Sequence, residues 1–333
     1  MPLAPGEPDL ADKVAHLRSD AWSGARPEEI ETHMSWVFLT GDRAYKLKKP
    51  IAYELLDYRS IEARRRDCEA EVELNQSLAP GVYLGVEPLT VDEHGKMSIG
   101  GSGRAVDWLV VMRRLPCGEL LDHRIADATV GPADLDGVVD RLVDHYSLAR
   151  PLPMDPADYR RQLADQLDRD VAGLRRHGRW LDVESVEALA GRLAGGIGSS
   201  PTVGERAARL VDGHGDLRPE HIVPGPPPLI IDRLSFAARL RQVDPLFDLA
   251  LLALECDVLA APALGAHALE RYQARSGDRV EASLVELYQA VRALTRARLS
   301  IAHLDDGVHD PRHWVRRSRR YVEVCQSHLA RTG

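Results

Sequence analysis

The residues best suited to chemistry are His214-Gly-Asp-Leu-Arg-Pro-Glu-His-Ile222, followed shortly by Ile230-Ile-Asp-Arg233. Asp216 sits in a tight loop, His221 comes five residues later, and Asp232 follows a strand, a turn and a second strand. Phosphoryl transfer needs such an order. One carboxylate orients the attacking hydroxyl, and later groups hold the Mg²⁺ that neutralises phosphate charge. A lone His-Gly-Asp is a weak signal. The whole string is stronger, because the turn Pro224-Gly-Pro-Pro-Pro228 would bring two acids to one end of a hairpin. A purely structural hairpin is the alternative.

The elements that must position these groups change character along the chain. Residues 1–32 read as a helical lead-in, with Leu10, Val14 and Leu17 at helical spacing. Trp36–Leu39 and Ala44–Lys48 are short β-type runs around the turn Thr40-Gly-Asp-Arg43. Ser60–Leu78 reads as a helix with Cys68, Val72 and Leu78 on one face. Tyr83–Val91, His94–Ile99 and Val106–Met112 read as strands. After Pro116 helices dominate: Leu135–Leu148, Asp158–Arg176, Val183–Leu193, Glu205–Ala208, and most of Pro245–Leu329. His221–Val223 and Leu229–Ile231 are the strands of the hairpin. There is no internal repeat.

The 333 residues suit a two-lobed enzyme or two domains. No apolar run reaches the ~18–20 residues of a membrane-spanning helix, and Met1-Pro-Leu-Ala-Pro-Gly-Glu-Pro has no basic, apolar leader character. A cytoplasmic location, with no membrane partner, is therefore expected. Cys68, Cys117, Cys256 and Cys325 lie far apart, so neither a zinc knuckle nor a disulfide framework is suggested. A net charge of −8 argues against a nucleic-acid partner.

Three patterns are set aside. Gly100-Gly-Ser-Gly103 has no following Gly-Lys-Ser/Thr and precedes a strand, so it reads as a floppy hairpin connection. His303, Asp305, Asp306, His309, Asp310 and His313 have metal-ligand types, but Gly307 and Pro311 mark a solvated loop. Arg312, Arg316, Arg317, Arg319 and Arg320 form a basic helical face, expected to pair with the chain's own acidic surface.

On these residues the chain resembles the aminoglycoside phosphotransferase family, and within it a bacterial subgroup often fused to a P-loop ATPase. Trp36-Val-Phe-Leu-Thr-Gly-Asp-Arg-Ala-Tyr-Lys-Leu-Lys-Lys-Pro50 looks like that subgroup's opening, and the resemblance spans roughly residues 30 to 300. No P-loop segment is expected within these residues. The resemblance implies an α+β, bilobal protein-kinase-like fold with a β-rich N-lobe and a mainly helical C-lobe. Residues 1–112 would form the nucleotide-binding lobe, 113–116 the hinge and 117–333 the helical lobe with the catalytic hairpin.

The resemblance also implies roles. Lys46, two residues after Ala44, looks like the lysine that holds the α- and β-phosphates, and is preferred to Lys48; Lys48 and Lys49 read as surface charge. Glu71 would pair with it, with Glu69 as runner-up. Backbone near Met112 and Arg114 would bind the purine of ATP or GTP. Asp216 resembles the catalytic aspartate and Asp232 the metal-binding one; Asp248 and His214 would brace the loop. Thr40–Arg43 would be a short nucleotide loop. His221 stands where the kinase pattern has Asn. It could favour Mn²⁺ over Mg²⁺, bond a phosphate, or mark weakened catalysis. Arg218 either stabilises γ-phosphate charge or pairs with Glu220.

The implied function is transfer of the γ-phosphate of ATP or GTP to a hydroxyl of a small molecule. The acceptor would be a sugar, an aminoglycoside or another glycosylated or nucleoside antibiotic, with antibiotic inactivation as an implied role. The acceptor pocket would form between the catalytic loop and the helices of residues 135–193 and 263–304. The alternative is a pseudokinase-like nucleotide-binding regulatory module. A partner-binding protein using the arginine face is a third reading.

Overall fold

The computed structural model describes residues 8–53, 55–306 and 310–332. The first seven residues of the expected lead-in, Gly307, His309 and the side chain of Asp306 lie outside the described residues. The chain divides into two units: residues up to Glu119 with Leu229–Ala238, and Leu120–Pro228 with the residues from Arg239 onward. The segment that follows the hairpin turn, including Asp232, thus belongs to the first unit.

The first unit carries helix α1 (Leu10–Arg18), strands β1 (Glu28–Glu31), β2 (Ser35–Thr40) and β3 (Arg43–Lys48), and a small hairpin of β4 (Ala52–Tyr53) and β5 (Leu56–Asp57). Helix α2 (Ile61–Asn75) and strands β6 (Tyr83–Val91), β7 (Met97–Ile99) and β8 (Arg104–Arg113) complete it. The six-stranded sheet runs β1-β2-β3-β8-β6-β7, and its pairs are antiparallel. Alternation sorts the residues of β3 between two faces. Leu47, with Phe38 and Leu109, packs against Val14 and Leu17 of α1. Lys46 and Lys48 share the opposite face, which α2 covers.

Three local features differ from the sequence reading. Residues 28–31 form a strand, not a helix end. Glu28, Glu29 and Glu31 disguise it, and all four residues are exposed on a sheet edge, where charge discourages edge-to-edge pairing. The buried face of α2 is polar: Arg64, Asp67, Cys68, Glu71 and Asn75 at spacings of three and four. Val72, expected inside, is half-buried. The glycine connection before β8 is tightly packed rather than floppy. A Cβ on Gly103 would lie 2.3 Å from the Val91 carbonyl oxygen, so no larger residue fits.

The second unit is helical: α3 (Leu121–Ala126), α4 (Asp136–Leu148), α5 (Pro156–Arg176), α6 (Val183–Ser199), α7 (Pro201–Glu205), α8 (Ala238–Arg241, whose first residue ends the first unit), α9 (Pro245–Val258), α10 (Pro262–Ser276), α11 (Ala282–Ala302) and α12 (Pro311–Ala330). Every residue of α9 from Pro245 to Cys256 is buried. This helix therefore forms the unit's centre, with α10 and α11 packed on it. Its N-cap Asp244 accepts from the Leu246 amide and from the buried Arg206. Among the described residues no helix is long and apolar enough to cross a membrane.

Candidate functional site

In the first unit the β3 pleat aims Lys46 at two carboxylates. Its Nζ lies 2.8 Å from Glu71 Oε1 and 2.7 Å from Asp232 Oδ1. Burial works against the ammonium charge, but Asp232 and Glu71 outweigh it and raise the pKa above the ordinary lysine range. Glu71, rather than Glu69, makes this pair; Glu69 instead bonds the exposed Arg65. Lys48 is not surface charge. It is buried, 2.6 Å from Glu71 Oε2 and 2.5 Å from Asp67 Oδ2. The Lys46 side chain keeps 15% of its surface and that of Lys48 4%, so Lys46 is the one a solvent-borne phosphate can reach. Lys49 pairs with Glu31.

Asp232 is held at φ 61°, a left-handed conformation that Asp tolerates better than most side chains. Its amide donates to Tyr83 Oη at 3.0 Å, and the next amide, of Arg233, donates to Asn75 Oδ1 at 2.9 Å. Asn75 in turn donates to the Glu71 carbonyl. One helix, α2, thus fixes both the acid that pairs with Lys46 and the backbone beside Asp232. The Asp232 side chain is 42% exposed. Tyr83, Asn75 and Asp67 were missed by the sequence reading. The polar repeat of α2 was the available signal, and it resembles a solvated face.

Met112 lies in β8, paired with Ala44 on one side and Tyr83 on the other. The Arg114 amide donates to the Asp42 carbonyl at 2.7 Å, and its guanidinium bonds Glu28 at 2.9 Å. The turn Gly41-Asp42 closes the β2–β3 hairpin, since Thr40 pairs with Arg43. The extra strand β1 makes the Lys46 strand the third, and the preceding hairpin turn is Thr32–Ser35, where the Thr32 amide and Oγ1 both donate to the Ser35 carbonyl and Thr32 Oγ1 accepts from the Ser35 amide.

In the second unit Asp248 organises the loop around Asp216. Its carboxylate accepts from the amides of His214 at 2.7 Å and Gly215 at 3.0 Å. Gly213 must be glycine, because a Cβ there would lie 2.5 Å from Val243 and 2.6 Å from Asp248 Oδ2. Arg292, buried in α11, donates to the Gly215 carbonyl and to Asp248. Arg292 was also missed. An arginine inside a helix as apolar as Tyr288-Gln-Ala-Val-Arg-Ala-Leu is the cue that would have shown it.

Asp216 Oδ2 accepts from Arg218 Nε at 2.9 Å, and Arg218 also pairs with Glu220. Burial would raise the Asp216 pKa, but Arg218, Arg296, His221 and His214 hold it well below the ordinary carboxylate range. Both ring nitrogens of His221 are engaged. Nδ1 lies 2.9 Å from the Asp216 carbonyl oxygen and Nε2 lies 3.2 Å from Arg218 Nη2. A carbonyl only accepts and a guanidinium only donates, so Nδ1 carries the proton and the Nε2 lone pair faces arginine.

Of the set-aside loop, His303 stacks on Trp314 with ring centroids 3.6 Å apart, and His313 meets the same indole edge-on. Among the described residues no group of three or more His, Cys, Asp or Glu is placed to hold a metal ion.

No family model matches the chain. It is 32% identical over 296 residues to uncharacterized proteins of Mycobacterium tuberculosis and Mycobacterium bovis, a match covering 83% of this chain. The chain spans about half the length, 55%, of the curated relatives it matches. Among solved structures it is similar to the aminoglycoside phosphotransferase APH(3'')-Id from Streptomyces rimosus, solved also in complex with ADP and streptomycin (TM-score 0.50, 20% identity, 86% of this chain and 99% of that one). It is similar also to LicA in complex with AMP (0.52, 15%, 95% and 96%) and to aminoglycoside phosphotransferase APH(4)-Ia (0.51, 15%, 91% and 94%). These likenesses show the fold. The chain has the α+β, protein-kinase-like fold of the aminoglycoside phosphotransferases, built here from a β-rich unit and a helical unit.

Proposed function

We propose that the protein is a small-molecule O-phosphotransferase, moving the γ-phosphate of ATP or GTP to a hydroxyl. The observation that carries this reading is Lys46 held between Glu71 and Asp232 on the inner face of the third strand. Two carboxylates extend a long side chain and keep it charged, as a phosphate-binding lysine requires. The Thr32–Ser35 turn, one hairpin before that lysine, takes the place of the phosphate-covering loop, rather than Thr40–Arg43. Purine recognition falls to backbone groups of residues 112–116 other than the Arg113 and Arg114 amides, which the Val82 and Asp42 carbonyls occupy.

Asp216 would accept a hydrogen bond from the acceptor hydroxyl and then its proton. Its low pKa makes it a weak base, so its contribution is orientation more than basicity. Arg218 fixes one carboxylate oxygen. The partly exposed carboxylate of Asp232 is a hard oxygen donor that fits Mg²⁺. When bound, the ion neutralises phosphate charge. His221 fits a brace better than a ligand, because its lone pair is committed to Arg218. That same commitment favours a second reading, a nucleotide-binding module with little catalysis.

A thermal-shift titration tests the nucleotide half. ATP or GTP with Mg²⁺ or Mn²⁺ should raise the unfolding midpoint of the wild type but not of Asp232→Ala. No shift with any nucleotide–metal pair would remove the reading. Turnover separates the two readings, since only an enzyme forms ADP or GDP in an acceptor-dependent way.

A further inference from the structure

An open cleft of about 430 Å³ lies beside the Asp216 loop, within the helical unit. One wall is the basic face of α12: His313, Arg316, Arg317 and Arg320, at helical spacings of three, four and seven. The lining also includes Glu220, whose partner Arg218 donates to Asp216. The cleft therefore connects to the candidate catalytic aspartate through one guanidinium.

The expected pairing of this face with the chain's own acids is incomplete. Arg319 turns away and donates to the Trp180 carbonyl. Glu255, also in the wall, is taken by Arg296 at 2.8 Å and by Tyr321, and Glu220 by Arg218. Arg320 reaches Glu323 only at 3.6 Å, and Arg317 reaches the Tyr321 hydroxyl at 3.4 Å. Arg316 and Arg320 stand one turn apart as like charges, which is unfavourable without an anion between them. The remaining acid in the lining, Asp122, is half-buried; its Oδ1 is closed to solvent, so Oδ2 is the oxygen a ligand can meet. A carboxylate oxygen is an acceptor and suits a donor such as a hydroxyl.

We infer that this cleft is the acceptor site and that the acceptor is a phosphorylated polyol, a small hydroxylated molecule already carrying a phosphate monoester. Arginine forks match phosphate oxygens, and Asp122 Oδ2 would take a hydroxyl. A polycationic aminoglycoside would meet like charge here. The inference rests on the phosphotransferase reading, and replaces the pocket expected among residues 135–193 and 263–304.

Calorimetric titration tests it on protein saturated with a non-hydrolysable ATP analogue and Mg²⁺, which keeps probes out of the nucleotide site. The probes are glycerol, pentose and hexose phosphates, their parent alcohols, and streptomycin. At least one phosphate ester should bind on the order of tenfold tighter than its alcohol, as expected for charge-assisted hydrogen bonds. Arg316→Gln/Arg320→Gln, at exposed positions, should lose that preference while keeping the nucleotide-dependent midpoint shift. The inference is overturned if no ester outbinds its alcohol, if streptomycin outbinds every ester, or if the double variant keeps the preference. Sedimentation with phosphatidylglycerol vesicles, without binding of any free ester, would assign the arginines to lipid and overturn it too. Failure of the nucleotide shift in wild type is read separately and counts against the phosphotransferase reading.

Discussion

Replacing Lys48 by Met should damage folding, whereas replacing Lys46 by Met should damage nucleotide binding. The two lysines are two residues apart on one face of β3 and share Glu71. Their surroundings differ. The Lys48 side chain is 4% exposed, and its partners Asp67 and Glu71 are 8% and 2% exposed. Removing its charge strands buried carboxylates, a loss of about 3–5 kcal/mol when a buried pair is broken. Asp67 keeps Tyr58 and Ser235, and Glu71 keeps Lys46, so the lower end is expected. About 3 kcal/mol is a large share of the roughly 5–15 kcal/mol that holds a typical fold. For Lys46 the pair with the 42%-exposed Asp232 is screened by water and contributes about 0–1 kcal/mol, while Glu71 retains Lys48. Lys46→Met should thus cost about 1 kcal/mol and abolish the ATP- or GTP-dependent midpoint shift. Urea unfolding of both variants, with thermal shifts alongside, measures the contrast. Equal destabilisation, with the nucleotide response intact in Lys46→Met, would refute the assignment.

Other outcomes follow from the same geometry. Asp216→Asn should lower turnover by about 10²-fold or more with nucleotide binding retained, measured as ADP or GDP release. Gly213→Ala should destabilise by on the order of 1–3 kcal/mol, because its Cβ would collide with Val243 and Asp248; denaturant midpoints check this. His328 is buried, 2.6 Å from Glu286 and 3.2 Å from Asp257. Burial opposes its charge, but the two carboxylates outweigh it and raise its pKa. A raised folded-state pKa gives stability that is fully present below about pH 6.5 and is lost as pH rises through the folded value. Between about pH 6 and pH 9 the wild-type midpoint should therefore fall more than that of His328→Gln, and parallel curves would contradict the pairing.

What the sequence revealed was local. Ala44 and Lys46 share a face by strand alternation, and the His214–Ile222 string with Asp232 marks a loop–strand–turn–strand order through spacing alone. Burial that runs against hydropathy stayed hidden. Helix α2 places Arg64, Asp67 and Glu71 inside because they meet Lys46, Lys48 and Asp107 there, and only tertiary pairing shows that. Strand β1 was hidden by its glutamates, and with it the strand count on which the proposal of Thr32–Ser35 as phosphate loop rests. The brace role proposed for His221 rests on its hydrogen-bond partners, which residue type alone does not reveal.

Phosphoryl transfer itself is measured by incubating the protein with γ-labelled ATP or GTP, Mg²⁺ and hydroxylated acceptors, and following label into acceptor. Wild type should label at least one acceptor, and Asp216→Asn should drop toward background while still showing the nucleotide-dependent midpoint shift. Nucleotide binding without label transfer to any acceptor, equal in wild type and Asp216→Asn, would contradict the enzyme and leave a nucleotide-binding module.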